Sequence, residues 1–158
     1  MFMTNKEVFN KLALLCSRKE YCSSDLFQKM KKWDINQEVQ EDVIIDLKKE
    51  KYLDEKRFAE AFVKDKFRFN KWGNQKIRYQ LKQKQIEDNN IEDAFIQISE
   101  QDYKDSIDAL LRSKNRSAKA KDNYDRKNKL LRFMIQKGFE MDVVLKRLEK
   151  LFKELQIN

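Results

Sequence analysis

Apolar residues recur along the chain at the spacing of an α-helix. In the first stripe the second, third and fourth members follow the first by four, seven and eight residues, so their side chains share one helical face. The four clearest stripes comprise Val8, Leu12, Leu15 and Cys16; Val39, Val43, Ile44 and Leu47; Phe58, Ala61, Phe62 and Phe69; and Val144, Leu148, Leu151 and Leu155. The pattern therefore predicts amphipathic helices along the whole chain.

The breaks between the stripes carry residues that begin or end helices. Small polar side chains can accept hydrogen bonds from the free N–H groups of a first helical turn. The candidate N-caps are Ser23 or Ser24, Asn36, Asp54, Asn89 or Asn90, and Asp102. Gly138 lies where the end of a helix needs a residue in the left-handed conformation. These residues predict short turns between consecutive helices.

One short helix recurs three times, with two apolar anchors four residues apart and a third anchor five residues later. The copies are Leu26, Met30 and Ile35; Ile77, Leu81 and Ile86; and Leu130, Met134 and Phe139. The offset is 51 residues between the first two copies and 53 between the last two. Because each copy lies between two other amphipathic helices, the pattern predicts nine helices in three sets of three.

Length and composition agree with a fold built from helices alone. The chain has 158 residues, no Pro and two Gly, whereas β-sheet and loop-rich folds use both residues for their turns. We therefore expect an all-α fold of three tandem three-helix repeats, at residues 1–51, 52–101 and 102–158. A unit of about 50 residues buries little surface alone, so we expect the repeats to stack in an elongated arrangement.

Basic residues are concentrated in two windows of the sequence. Residues 64–84 hold eight Lys and Arg against one Asp, and residues 112–132 hold nine against two Asp. The rest of the chain holds 18 Lys and Arg against 24 Asp and Glu, and the formal net charge of the whole chain is +8. Such windows suit a phosphate backbone or an acidic protein surface. Solvated faces that keep a helical protein in solution are the alternative interpretation.

The residue types exclude several kinds of chemistry. The chain has no His, which excludes Ser-His-Asp triads, Cys-His pairs and imidazole metal sites. Cys16 and Cys22 lack zinc-site spacing, and two Gly cannot form a nucleotide-binding phosphate loop. The longest apolar run, residues 12–16, is too short for a membrane span or a signal peptide. We expect a soluble, cytoplasmic protein that is not an enzyme, with no catalytic residues, metal, cofactor or membrane partner.

Residues 52–63, which read Tyr-Leu-Asp-Glu-Lys-Arg-Phe-Ala-Glu-Ala-Phe-Val, resemble the signature of the RecX family, bacterial modulators of the RecA recombinase. The family's next element, a glycine followed by a basic helix, is matched by Gly73, Lys76, Ile77, Arg78, Leu81, Lys84 and Ile86. Residues 137–139, Lys-Gly-Phe, resemble the family's Arg-Gly-Phe ending. The resemblance covers residues 7–155 and departs at Gln85, where the family usually has Gly, and at Lys137, which replaces Arg.

The resemblance implies three helix-turn-helix-like repeats in a curved, extended molecule that binds along the groove of the RecA filament on DNA. It implies a regulator that restrains ATP hydrolysis, strand exchange and repressor cleavage by RecA, in DNA repair, DNA recombination and the SOS response. The implied partners are the RecA filament and single- or double-stranded DNA. We expect the chain to act as a monomer.

The candidate RecA- or DNA-binding residues are the basic side chains of the two windows and one aromatic ring. They are Lys64, Lys66, Phe67, Arg68, Lys71, Lys76, Arg78, Lys82, Lys84, Arg112, Lys114, Arg116, Lys119, Lys121, Arg126, Lys127, Lys129 and Arg132. Phe67 is included because aromatic and basic residues alternate over residues 66–72, as in single-strand binders whose bases stack on rings. Phe69 continues the third apolar stripe and is expected to be buried, and Trp72 fits either role.

Two other functions stay open at this point. The chain could be an independent DNA-binding protein of the helix-turn-helix type, although no helix rich in Asn, Gln and Arg stands out for reading bases. It could also be a helical scaffold for an unrelated protein, with basic faces that serve solubility. Dependence of DNA binding on the RecA filament separates the regulator from the first alternative. Salt-independent association without affinity for DNA would favour the second.

Overall fold

The computed structural model describes residues 2–156 of the chain, and within this range it contains nine α-helices and no strand. The helices are α1 (Asn5–Arg18), α2 (Ser23–Lys32), α3 (Gln37–Lys49), α4 (Glu55–Arg68), α5 (Asn74–Gln83), α6 (Asp88–Phe95), α7 (Glu100–Ser117), α8 (Asn123–Gln136) and α9 (Met141–Glu154). The predicted all-α class is confirmed. The repeat boundaries expected after residues 51 and 101 stay a prediction.

The chain divides into two compact units. The first unit comprises residues 1–62 and 81–94, and the second comprises residues 63–80 and 95–158. Helices α4 and α5 therefore each contribute residues to both units. Because this division follows spatial contacts rather than the sequence repeat, it groups side chains that lie far apart in the chain.

A hydrophobic cluster lies among the first three helices of the first unit. Helix α1 packs against α3, and α2 also packs against α3. The completely buried side chains of the cluster are Val8, Leu12, Leu26, Met30 and Leu47. Each such side chain contributes about 1.5–3 kcal/mol to folding through burial. The first two predicted stripes thus face this core.

The core of the second unit lies among α7, α8 and α9, which pack against one another in all three pairs. Its completely buried side chains are Ile107, Leu111, Leu130, Met134, Phe139, Val144 and Leu148. The last predicted stripe is correct as far as Leu151 but wrong at Leu155, whose side chain is 43% exposed. Helix α9 ends at Glu154, so helical spacing no longer directs Leu155 toward the core.

The third predicted stripe, on α4, is partly wrong. Phe58 is buried as expected, but Ala59 and Val63 are the completely buried side chains of this helix, while Ala61 and Phe62 are half-buried. Phe69 was expected in the core, yet 80% of it is exposed. Because α4 ends at Arg68, a 3.6-residue period extended to Phe69 assigns the ring to the wrong side.

Two of the predicted N-caps are confirmed. The side-chain oxygen of Asn36 accepts a hydrogen bond from the Val39 N–H at 2.9 Å, and that of Asp54 accepts one from the Arg57 N–H at 3.0 Å. Each cap satisfies an N–H group that has no partner within its own helix. The starts of α3 and α4 were therefore readable from local sequence.

The remaining predicted N-caps are wrong, and they are Ser23, Ser24, Asn89, Asn90 and Asp102. Ser23 donates from its N–H and its hydroxyl to the Glu55 carboxylate, at 2.7 and 2.5 Å. Helix α6 already begins one residue before Asn89. The cap of α7 is Ser99, whose hydroxyl accepts from the Asp102 N–H at 2.9 Å. At α7 the nearby Ser99 therefore takes the capping role, whereas at α2 the Glu55 carboxylate from α4 accepts from the first N–H of the helix.

All three repeated helices end in the same hydrogen-bonded turn. In every copy the N–H of the third anchor donates to the carbonyl of the second at 3.1 Å, in the pairs Ile35–Met30, Ile86–Leu81 and Phe139–Met134. The preceding residue has a positive φ, which is 55° at Asp34, 62° at Gln85 and 94° at Gly138. This is the Schellman ending of a helix. The predicted triple repeat is thus confirmed in its backbone geometry.

None of the helices within residues 2–156 combines the length and apolar character that crossing a bilayer requires.

Candidate nucleic-acid interface

The two units differ strongly in formal charge. The first unit has 14 Lys and Arg against 16 Asp and Glu, a formal charge of −2, whereas the second has 21 against 11, a formal charge of +10. The second unit contains every basic residue of the two windows except Lys82 and Lys84. The second unit is therefore the part of the molecule whose electrostatic field attracts a polyanion.

Four lysines of the second unit lie around Trp72. The Lys76 ammonium is 4.5 Å from the centroid of the indole ring and the Lys66 ammonium is 5.1 Å from it, both within the range of cation–π attraction. Lys71 directly precedes Trp72, and Lys137 approaches from the end of α8. We call Lys66, Lys71, Lys76 and Lys137 the lysine cluster.

A contact between the two glycines of the chain assembles the lysine cluster. The Gly73 N–H donates to the Lys137 carbonyl at 2.7 Å, and the Gln75 N–H donates to the Gly138 carbonyl at 3.0 Å. A Cβ on Gly73 would lie 2.4 Å from the backbone of Gly138, and one on Gly138 would lie 2.2 Å from the Lys76 Cβ. Only residues without a side chain allow this approach.

The position of Lys137 is electrostatically unfavourable in the absence of an anion. Its ammonium donates to the Asn70 carbonyl at 2.7 Å. Burial lowers the pKa of Lys137, and the charges of Lys76 and Lys71 lower it further. Sequence reasoning did not select Lys137, because it becomes part of the cluster only through the Gly73–Gly138 contact.

An open groove of about 360 Å³ in the second unit forms a second basic feature. It lies along the end of α7, the following loop and α8, and its lining consists of Lys114, Ser117, Ala118, Lys119, Lys129, Arg132, Phe133 and Gln136. Four of these eight side chains are cationic, and all four were selected from the sequence. We call this feature the α7–α8 groove.

Internal contacts fix the walls of the α7–α8 groove. The Lys114 ammonium lies 4.9 Å from the Phe133 ring centroid. The Lys129 ammonium donates to the Lys119 carbonyl at 2.6 Å and lies 3.2 Å from the Asp125 carboxylate. Interactions of the Asp125 carboxylate with the Lys121 N–H and with Lys129 lower the pKa of Asp125. The loop between the two helices is therefore tied to α8.

Several of the predicted residues have structural partners. Ion pairs of predicted residues within the described part of the chain include Lys84–Asp25, Lys82–Asp88, Arg112–Glu154 and Lys129–Asp125. Arg126 donates to the carbonyls of Asn115 and Ala118 at 3.0 and 3.3 Å, which closes the α7–α8 loop. The Arg78 guanidinium lies 4.8 Å from the Phe95 ring centroid. These contacts give the side chains a role in the fold itself.

Other predicted residues in the second unit have no carboxylate within ion-pair distance in the described part of the chain. They are Lys64, Arg68, Lys71, Lys76, Lys114, Arg116, Lys119, Lys121, Lys127 and Arg132. Unpaired cations of this kind are the groups that exchange counterions for phosphates when a polyanion binds.

The aromatic rings of the second unit are arranged differently from the prediction. Phe67 is half-buried against the hydrophobic cluster, and its ring stacks on that of Tyr103 at 6.1 Å between centroids. The exposed rings are Phe69, Tyr79 and Tyr124, at 80%, 60% and 78%. Phe69 therefore takes the place of Phe67 as the ring able to stack on a base. Helix α4 ends at Arg68, and the end of the helix is the signal from which the exposure of Phe69 could have been predicted.

The cysteines of the chain are structural. Both are free and buried, and Cys22 is completely so. Burial raises the pKa of the Cys22 thiol to about 12, so the nucleophilic thiolate is scarce at neutral pH. Among residues 2–156 no group of three or more Cys, Asp and Glu side chains could hold a metal ion.

Two family models match the chain. The model of RecX, second three-helix domain, matches residues 54–94, and that of RecX, third three-helix domain, matches residues 101–148. Together they cover more than half of the chain. The chain belongs to the RecX family. The resemblance seen in the sequence is confirmed, as are the tandem three-helix domains.

Individual RecX proteins show how far the similarity extends. The regulatory protein RecX of Clostridium botulinum (strain Eklund 17B / Type B) is 37% identical over 100 residues, which are 62% of this chain and 46% of that protein. The regulatory protein RecX of Acinetobacter baylyi is 28% identical over 142 residues, 89% of this chain and 85% of that one. The chain thus matches less than half the length of the clostridial relative. Both relatives are named as regulatory proteins.

Two solved RecX structures share the fold. A crystal structure of regulatory protein RecX aligns with a TM-score of 0.84 and 21% identity, covering 92% of this chain and 73% of that one. RecX from Lactobacillus salivarius aligns with a TM-score of 0.79 and 22% identity, covering 93% and 96%. The lysine cluster contains residues from both matched RecX domains, since Trp72 belongs to the second three-helix domain and Lys137 to the third.

Proposed function

We propose that this RecX-family chain is a non-enzymatic regulator that binds the RecA filament on DNA and inhibits its ATPase, recombinase and coprotease activities. It acts as a cytoplasmic monomer in DNA repair and the SOS response. The observation that carries the proposal is the +10 charge of the second unit, with two basic surfaces built from residues of the matched RecX domains.

The mechanism needs binding energy and no covalent chemistry. A ligand that binds one state of the filament better than another shifts the population toward that state. Cations of the second unit supply affinity by displacing counterions from DNA phosphates or from acidic RecA surfaces. The nearly neutral first unit adds little to this electrostatic attraction.

The test is the rate of single-stranded-DNA-dependent ATP hydrolysis by the cognate RecA while this protein is titrated. We expect hydrolysis to fall at protein concentrations well below that of RecA. The triple variant Lys119→Glu, Lys121→Glu, Arg132→Glu should need at least about ten times more protein for half inhibition, because it reverses unpaired charge on the second unit.

The matched control is Lys31→Glu, Lys48→Glu, Lys49→Glu, which makes the same change of charge on exposed lysines of the first unit. It should shift half inhibition by less than about twofold, because these lysines lie outside the basic surfaces. An unchanged hydrolysis rate with the parent protein would refute the proposal. Equal losses in both triple variants would refute the assignment to the second unit.

An independent DNA-binding protein is the second candidate function. It is favoured by the fact that the lysine cluster and the α7–α8 groove are each complete within one unit of the chain. Its lysines suit sequence-tolerant phosphate contacts rather than base reading. Binding to bare DNA at a concentration that leaves RecA hydrolysis unchanged would establish this function instead.

A further inference from the structure

We propose that the lysine cluster is a discrete phosphate-binding site whose ligand is the phosphodiester backbone of a single-stranded nucleic acid, with Lys137 as one of its binding residues. The inference rests on the proposed nucleic-acid contact of the second unit. It adds a location, a residue that the basic sequence windows do not contain, and a preference for single strands.

Backbone geometry brings the ammonium groups together. Lys71 lies two residues before Gly73, Lys76 lies three residues after it, and the Gly73 N–H donates to the carbonyl of Lys137 itself. The close approach of Gly138 to the Lys76 Cβ completes the arrangement. Lysines from the start of α5 and the end of α8 therefore share one place without any side-chain rearrangement.

Three of the four lysines in the cluster carry a charge that no carboxylate among the described residues neutralises. Lys71, Lys76 and Lys137 have no carboxylate within ion-pair distance in the range that the structure describes. Burial lowers the pKa of Lys137, and repulsion from the charges of Lys76 and Lys71 lowers it further. An anion between them converts the repulsion into attraction, so the site is prepared for a phosphate group.

Trp72 explains why phosphate rather than a base is recognised at the centre of the site. Two ammonium groups already lie over its ring, at 4.5 and 5.1 Å from the centroid. A base that stacked on a face covered by these groups would have to displace them. The ring instead holds Lys66 and Lys76 in position through cation–π attraction. Lys76 has no carboxylate within ion-pair distance among the described residues, so its charge is available to an oxyanion.

The preference for single strands comes from Phe69. This ring is 80% exposed and directly precedes Asn70, whose carbonyl accepts the hydrogen bond from the Lys137 ammonium. A base of a single strand held by the lysines can stack on such a ring, whereas the bases of a duplex are already stacked on one another. Phe69 and the lysine cluster together therefore fit one nucleotide and its phosphate.

Trp72 itself can report the binding event. In a Trp33→Phe background it is the sole tryptophan of the chain. Titration with an oligothymidylate should change its fluorescence saturably. The double variant Lys71→Met, Lys137→Met should weaken binding at least about tenfold and reduce the slope of log affinity against log salt by about 1.4, or about 0.7 for each lost phosphate contact on a single strand.

Two further variants separate the parts of the site. Phe69→Ala should weaken oligothymidylate binding by about fivefold or more through lost stacking, and should leave binding to a duplex of equal length unchanged. The double variant Lys48→Met, Lys49→Met removes two exposed lysines of the first unit and should leave the affinity and the salt slope as they are. Far-UV circular dichroism of each variant should match that of the parent.

The outcomes separate this inference from the proposed function. Unchanged oligothymidylate affinity in the Lys71→Met, Lys137→Met variant would overturn the site, even if RecA hydrolysis were still inhibited. Equal weakening of single-strand and duplex binding by Phe69→Ala would overturn the preference for single strands. Saturable quenching of Trp72 by inorganic pyrophosphate, with no response to the oligonucleotide, would show a site for free phosphates and overturn the assignment to nucleic acid.

Discussion

The two units are both built from α-helices and differ in how charged side chains are arranged on their surfaces. In the first unit charged groups meet partners across helices, as at Lys84–Asp25 over 2.7 Å and Arg57–Glu20 over 2.5 Å. The second unit also has ion pairs across helices, at Arg112–Glu154 and Arg147–Asp108, but its lysine cluster in addition brings cations close to one another. The same three-helix construction thus supports a nearly neutral surface and a strongly basic one.

The repeated Schellman turn also differs between the units, in the type of residue that has the positive φ. The first unit makes the turn with Asp34 and Gln85 at positive φ, whereas the second unit makes it with Gly138. Side chains are therefore tolerated in this turn at a φ of 55–62°, whereas the φ of Gly138 is 94°. Gly138 is needed because Lys76 occupies the space that a Cβ would fill, at 2.2 Å. The glycine serves assembly of the cluster more than it serves the turn.

The two units are expected to differ most in the loss of stability caused by an alanine substitution at the third anchor of the repeat. Phe139 is completely buried and its ring lies 5.4 Å from that of Tyr103, whereas Ile35 in the first unit is half-buried. Phe139→Ala should lower the free energy of unfolding by about 3–5 kcal/mol, and Ile35→Ala by about 1–2 kcal/mol. Urea denaturation followed by circular dichroism measures both. Equal losses would show that the two anchors are equally packed.

Alanine at the two glycines is expected to have the next largest effect. Gly138→Ala combines a positive φ with a steric clash and should cost about 3 kcal/mol of unfolding free energy. Gly73→Ala introduces only the clash and should cost about 1–3 kcal/mol.

The matched control for the glycine variants is Gln85→Ala, at the equivalent turn of the first unit. It should change the free energy of unfolding by less than about 0.5 kcal/mol, because the φ there already accommodates a side chain. Thermal or urea denaturation measures all three variants. A harmless Gly138→Ala would contradict the close packing of Gly138 on Lys76.

The smallest effect is expected from removing strain in the first unit. Gln85→Gly relieves a non-glycine residue at a φ of 62° and should raise the free energy of unfolding by about 0.5–1 kcal/mol, after the entropic cost of glycine. Asp34→Gly should gain less, because Asp tolerates the left-handed region better than Gln. Melting temperatures of the two variants provide the comparison. A loss of stability in Gln85→Gly would show that the Gln side chain contributes more than its strain costs.

Local sequence was sufficient for most of the fold. Each helix presents its apolar face at a regular spacing, and caps such as Asn36 and Asp54 act on residues three positions away. Errors arose where a helix ended earlier than its apolar period, as at Phe69 and Leu155, which both follow the last residue of a helix. Where either of two adjacent residues could be the N-cap of a helix, contacts with distant residues determine the helix start, as in the hydrogen bond from Ser23 to Glu55.

The candidate site was less predictable than the fold. Its basic residues could be selected as a class, because charge density is visible in the sequence. Lys137 could not be selected, since nothing near residue 137 shows that residues 71–76 are its neighbours. The roles of Lys84 and Arg126 in holding the fold were likewise hidden, because their partners lie 59 and up to 11 residues away.

The Gly73–Gly138 contact also has a consequence for folding kinetics. It joins residues 65 positions apart, so a long loop must close before the contact can form. Contacts of such high sequence separation form slowly compared with local helical turns. The newly synthesised chain therefore carries its full positive charge before it has its lysine cluster, and well-defined phosphate binding should appear only with the final packing step.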